Sequence, residues 1–152
     1  MAGGAAYRPK AVLGCQTNFS FLSGASHPEE LILTADQLGW RVVGISDRFS
    51  CGGLVRAHMA IKDLDRCPSV NQLICGVSVT LHDGGDILCY ARSLDGYHSL
   101  CQWLSAAMMR SGHDRRALPD MHTSDLGRLS SDVIVITLPP VLRWNRLAGF
   151  IV

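Results

Sequence analysis

Apolar positions fall in short runs separated by polar stretches, and the period of each run predicts an element. Residues 10–15 are a short apolar run that reads as a first strand. A polar loop follows, and Ser26-His27-Pro28-Glu29 reads as a helix start, with Ser26 as cap, Glu29 completing a capping box and Pro28 in the first turn. Leu31, Ala35 and Leu38 then recur at helical spacing, and Gly39 closes the helix. Val42-Val43-Gly44-Ile45 is a buried strand ending at Ser46-Asp47. A second helix places Leu54, Val55, His58 and Ile61 near one face, and Cys67-Pro68-Ser69 breaks it. Residues 73–81 form a third strand. The turn His82-Asp83-Gly84-Gly85 leads into a strand at 87–91 that runs antiparallel to it. A third helix over 94–109 carries Tyr97, Leu100, Cys101, Leu104 and Met108 as its apolar stripe. Residues 110–116 are a polar, Arg-rich loop, and 133–138 form a last strand stopped by Pro139-Pro140.

Strands alternating with helices predict βαβ units and a mostly parallel α/β sheet with one hairpin. Ligands in such folds gather beyond the carboxyl ends of the strands, here Cys15-Gln16-Thr17-Asn18, Ser46-Asp47-Arg48 and Gly76-Val77-Ser78. The 152 residues suffice for one domain. A 47% hydrophobic and 18% charged composition excludes a charge-driven disordered chain. A net charge of +1 advertises neither nucleic-acid nor membrane binding. No apolar run reaches the roughly 18–20 residues of a membrane span, and no signal peptide is apparent. The six cysteines form no C-x-x-C pair, so they read as buried free thiols of a reducing cytoplasm. His82, His98, His113 and His122 show no ligand spacing. His58 reads as a packing residue and His27 as a loop or capping residue. Cys51-Gly52-Gly53 opens a helix, where N–H groups can hold an anion, but it lacks a phosphate-loop Lys-Ser/Thr and any G-x-G-x-x-G, so a plain tight turn is the favoured reading. Arg110, Arg115 and Arg116 read as a solvated loop rather than a contact to DNA.

Thr17-Asn18-Phe19-Ser20-Phe21-Leu22-Ser23-Gly24-Ala25-Ser26-His27-Pro28-Glu29-Glu30-Leu31 resembles the opening of the polymerase and histidinol phosphatase (PHP) domain. It resembles in particular the version at the N-terminus of bacterial error-prone DNA polymerases of the polymerase III alpha type. Gly44-Ile45-Ser46-Asp47-Arg48, Gly53-Leu54-Val55-Arg56-Ala57-His58, residues 73–81, Ile87-Leu88-Cys89-Tyr90 and residues 95–101 continue the resemblance in order. It implies a PHP-type distorted βα barrel, here partial, over 10–140, between an N-terminal tail at 1–9 and a divergent segment at 141–152. It also implies a phosphoesterase centre of two or three metal ions held by His, Asp and Glu, which activate water and clamp phosphate.

This sequence departs from that ligand set. The opening His-x-His falls on Gly14 and Gln16, and the Asp-His after the second strand falls on Asp47 and Arg48. An acidic position falls on Ser23, and the glutamate of the third strand on Ser78. Gly14 offers no ligand, Gln16 only a neutral amide, and Arg48 a fixed positive charge; Asp47 alone keeps ligand chemistry. Two arrangements of Asp47-Arg48 are compatible with this: the guanidinium fills the vacated metal space and pairs with Asp47, or both face solvent. The expectations are a degenerate site with no catalytic residue, no bound metal and no cofactor. By resemblance, the partners are a polymerase core or other replication and repair proteins, with DNA reached only through the parent polymerase and no membrane contact. The implied role is structural or accessory, in replication, repair and translesion synthesis in the cytoplasm, with the chain read as a piece of a longer polymerase. A free-standing metal-dependent phosphoesterase and a module docking on a polymerase are the alternatives.

Overall fold

The computed structural model describes residues 10–63, 69–112 and 118–139. The expected tail at 1–9, the whole divergent C-terminal segment at 141–152, Cys67, His113, Arg115 and Arg116 lie outside them. Five strands form one sheet in the order β1-β2-β3-β4-β5: β1 (Lys10–Cys15), β2 (Trp40–Arg48), β3 (Gln72–Thr80), β4 (Asp86–Ala91) and β5 (Val133–Thr137). The pairs β1/β2 and β2/β3 are parallel, while β4 is antiparallel to both β3 and β5. One strand therefore opposes four, as the hairpin after β3 predicts.

The helices are α1 (Pro28–Gln37), α2 (Leu54–Lys62) and α3 (Leu94–Arg110), and a 3-10 turn spans Thr123–Arg128. The two-residue strand period and the register put Val43, Ile45 and Asp47 on the same sheet face as Leu73, Cys75, Val77, Cys89 and Ile87. Ile32 and Ala35 of α1 and Ala57 of α2 pack on Val43 and Ile45. Leu100, Trp103, Leu104 and Ala107 of α3 pack on Val77, Val79, Ile87 and Cys89. All three helices thus cover one face. On the other face Leu13 and Ile134 are 46% and 47% exposed, beside a groove of about 390 Å³ that Ile74, Tyr90 and Ile136 also line. Among the described residues this is an open five-stranded sheet with helices on one face, not on both.

Several local expectations shift by one residue. The cap of α1 is His27 rather than Ser26, and its N–H donates to Glu30 Oε2 at 2.8 Å. Glu29 instead receives the Arg56 Nε–H at 2.6 Å, linking α1 to α2. The buried stripe of α1 is Pro28, Ile32 and Ala35, with Leu38 exposed, because neighbours along a helix lie 100° apart and the sheet contact selects one line. On α2, Ala57 is buried whereas Val55 and His58 are exposed, so His58 is not a packing residue. On α3, Trp103 and Ala107 join Leu100 and Leu104 in the core and Met108 is exposed.

Arg110 belongs to α3 rather than to a solvated loop. Its Nη2 donates to Asp125 Oδ2 and to the Asp120 carbonyl, both at 2.8 Å. Asp125 is only 8% exposed, so Arg110→Ala leaves a mostly buried carboxylate without its nearest cation. Arg110 is itself partly solvated, which tempers the loss to about 1–2 kcal/mol, or roughly 3–6 °C in melting temperature. Thermal denaturation of the variant checks this. Nearby, the His82 and His122 rings stack 5.4 Å apart, and Asp120 Oδ1 lies 3.1 Å from His122 Nε2. That pairing of distant histidines has no signature in their spacing.

Candidate functional site

The carboxyl ends of β1, β2 and β3 converge, and Asp47 lies at their centre with no solvent exposure. Its two oxygens accept five hydrogen bonds from four donor groups, none of them charged. Oδ1 accepts from the Thr17 N–H at 2.7 Å, the Thr17 hydroxyl at 2.9 Å and the Ser20 hydroxyl at 2.7 Å. Oδ2 accepts from the Thr17 hydroxyl at 2.8 Å and the Gly53 N–H at 3.2 Å. Gly53 caps the N-terminus of α2, so the anion held by that helix start is the protein's own carboxylate. The Cys51-Gly52-Gly53 segment is thus more than a tight turn.

Sequence order makes this arrangement possible. Thr17 and Ser20 lie three residues apart in a folded loop where the Ser20 N–H donates to the Thr17 carbonyl at 2.8 Å. The Gly24 N–H closes that loop on the Ser20 carbonyl at 2.9 Å. A Cβ at Gly53 would lie 2.5 Å from Asp47 Oδ2 and 2.7 Å from Thr17 Oγ1, so only glycine fits there. Thr17, Ser20 and Gly53 were not among the candidate site residues. Their signal is a pair of small hydroxyl residues after β1 and a Gly-Gly step before α2, which acquires meaning only once Asp47 is known to be buried between them.

Neither expected arrangement of Asp47-Arg48 occurs: Asp47 does not face solvent, and neutral groups satisfy it. The Arg48 N–H donates to Ser20 Oγ at 2.9 Å, and the Arg48 guanidinium lies 5.5 Å from the centre of the Phe49 ring. Gln16 and Ser78 do meet, with Gln16 Nε2 donating to Ser78 Oγ at 3.2 Å across the end of β2. Gly14 takes a φ of +81°, and its N–H donates to the Tyr90 hydroxyl at 2.6 Å. The Tyr90 ring lies over Gly76, where a Cβ would come within 2.4 Å of it. Burial pushes the Tyr90 hydroxyl up, opposed by its contacts with Ser46 and the Gly14 N–H. Burial likewise raises the Cys15 thiol at the end of β1. Ser23 is exposed on the loop, its N–H donating to the Ser20 carbonyl.

The metal cluster that the resemblance implies does not fit this donor set. Five hydrogen bonds surround the one carboxylate, the Gln16 amide and the Ser78 hydroxyl bond each other, and no imidazole lies among these groups. Among the described residues no three His, Cys, Asp or Glu side chains are placed to hold a metal ion. Also among the described residues, no helix is long and apolar enough to cross a membrane.

The sequence profile of the PHP domain matches residues 13–143. An error-prone DNA polymerase of Bordetella parapertussis is 33% identical over 150 residues, covering 91% of this chain and 14% of that protein. One from Ralstonia nicotianae is 36% identical over 126 residues, covering 79% of this chain and 11% of that protein. One from Vibrio vulnificus is 42% identical over 100 residues, covering 66% of this chain and 10% of that protein. The chain therefore spans about a tenth to a seventh of the length of these relatives. A solved structure from Bifidobacterium adolescentis, assigned as a metal-dependent phosphoesterase, overlays with a TM-score of 0.49 at 24% identity, covering 68% of this chain and 37% of that one. With the profile matching most of its length, this chain belongs to the PHP domain family.

Proposed function

We propose that this chain is a PHP domain whose metal centre has been replaced by a hydrogen-bonded plug, and that it serves an error-prone DNA polymerase as a structural module. In this reading Gly14, Gln16, Ser23, Asp47, Arg48 and Ser78 occupy the positions of a lost ligand set. The observation that carries it is Asp47: the one residue with ligand chemistry uses both oxygens to join the β1–α1 loop to the start of α2. A carboxylate wrapped by neutral donors can tie elements together but cannot activate a water. The relatives named above support a place beside a polymerase core, in replication, repair and translesion synthesis in the cytoplasm. DNA would be reached through that polymerase, and residues 10–140 would be the PHP unit. The free-standing phosphoesterase is the weaker reading because Gly14, Gln16, Arg48 and Ser78 carry no imidazole or carboxylate to hold the metals that chemistry needs.

Calorimetric titration with Mn²⁺ and Zn²⁺, beside hydrolysis assays on a phosphomonoester and single-stranded DNA, tests the proposal. No stoichiometric binding at the strand ends and no turnover are expected. Two or more bound ions together with turnover lost in Asp47→Ala would instead establish a working phosphoesterase centre.

A further inference from the structure

Beneath the same strand ends the fold gathers thiols that are far apart in sequence. Cys51 lies in the loop between β2 and α2, and Cys75 lies in β3 beside Ile45 of β2. Their sulfurs share a hydrogen bond at 4.0 Å. Cys101 of α3 is a third thiol in contact with Cys51. All three are free and partly exposed, whereas Cys89 is buried, with its thiol pushed up to about 12 by burial. A disulfide requires sulfurs about 2.05 Å apart, so closing this pair needs an approach of about 2 Å.

We propose that Cys51 and Cys75 form a redox-active dithiol that a hydroperoxide oxidises to an intramolecular disulfide, fastening the β2–α2 loop to β3. The reading is independent of the proposed polymerase role. Cys75 Sγ donates to Cys51 Sγ in the resting pair; once Cys75 loses that proton, the Cys51 S–H turns to donate to the Cys75 thiolate, and this contact holds Cys75 below the usual thiol range. The Cys75 thiolate attacks a peroxide oxygen and the O–O bond breaks. Cys75 becomes a sulfenic acid, and hydroxide or alkoxide leaves to take up the proton that Cys75 released. The Cys51 sulfur then attacks the Cys75 sulfur, and the S–O bond breaks as the hydroxyl departs with the Cys51 proton as water. Two thiols lose two electrons, and the hydroperoxide is reduced to water and water or an alcohol. The new bond sits two residues before Gly53, whose N–H holds Asp47, so oxidation locks the plug from its second side.

The test treats the reduced full chain with one equivalent of hydrogen peroxide, blocks remaining thiols with N-ethylmaleimide and maps cystines by non-reducing peptide mass spectrometry. The Cys51–Cys75 cystine should exceed every other by about tenfold or more, because thiols in contact have a high effective concentration. Cys101→Ser should retain it, and Cys51→Ser and Cys75→Ser should each abolish it. Iodoacetamide at neutral pH should label Cys75 before Cys51. Dominant intermolecular cystines, a dominant Cys51–Cys101 bond, or no thiol loss in the wild-type chain would each refute the pairing. The wild-type map decides the matter even if the serine variants fail to fold.

Discussion

Asp47→Ala is expected to lower the melting temperature by about 10 °C. The change strips the acceptor from four donor groups in a site closed to bulk solvent: the Thr17 and Gly53 N–H groups and the Thr17 and Ser20 hydroxyls. An unsatisfied buried donor costs roughly 1–3 kcal/mol, and a water entering the vacated space recovers part of that, leaving a net loss of about 3–5 kcal/mol. At roughly 2–4 °C per kcal/mol for a domain of this size, the shift is readily measured by calorimetry. Asp47→Asn keeps one acceptor oxygen but turns an NH₂ group toward a donor, so its loss should fall between wild type and alanine. A shift below about 2 °C for alanine would mean that solvent replaces the carboxylate, and that Asp47 is no structural hub.

Gly24→Ala is expected to be nearly as damaging, although the residue touches no ligand and carries no charge. A Cβ there would sit 2.2 Å from the Thr17 carbonyl oxygen and 2.7 Å from its carbon. Those are backbone atoms, so no side-chain rotation relieves the overlap, and the β1–α1 loop must open. Opening it displaces Thr17, which supplies three of the five hydrogen bonds to Asp47. Overpacking of this kind costs about 3 kcal/mol, measurable as a lower urea midpoint at unchanged slope. Gly127→Ala is the control, since nothing lies within 4 Å of its Cβ position and the change should stay within about 0.5 kcal/mol. Because Gly24 and Asp47 act on one network, the double variant should lose less than the sum of the two.

Strand and helix positions were legible because each apolar run carries its own period. The sequence places β1, α1, β2, α2, β3, β4, α3 and β5 in the observed order, with the β3–β4 reversal signalled by Asp83-Gly84-Gly85. Finer choices were not legible. Ile32 rather than Leu31 faces the sheet, and Ala57 rather than His58 is buried, since both residues of each pair sit near the apolar edge of a helix and the sheet contact selects between them. Ser26 and His27 compete in the same way, because the cap is decided by which N–H the Glu30 carboxylate reaches.

The sequence by itself determined that this is an α/β chain with PHP character, and which residue types stand at positions 14, 16, 48 and 78. Those are statements of residue type and order, which local periodicity and motif spacing carry. Only the tertiary structure decided what became of Asp47. Burial, not the adjacent Arg48, governs that carboxylate, and its partners come from residues 17, 20 and 53, brought together by parallel pairing of β1 and β2 and by the docking of α2. The meeting of Cys51 with Cys75 and of Gln16 with Ser78 has the same origin. Contacts between residues 24 and 62 positions apart leave no local pattern, because the strand register that creates them is set by the packing of the whole sheet.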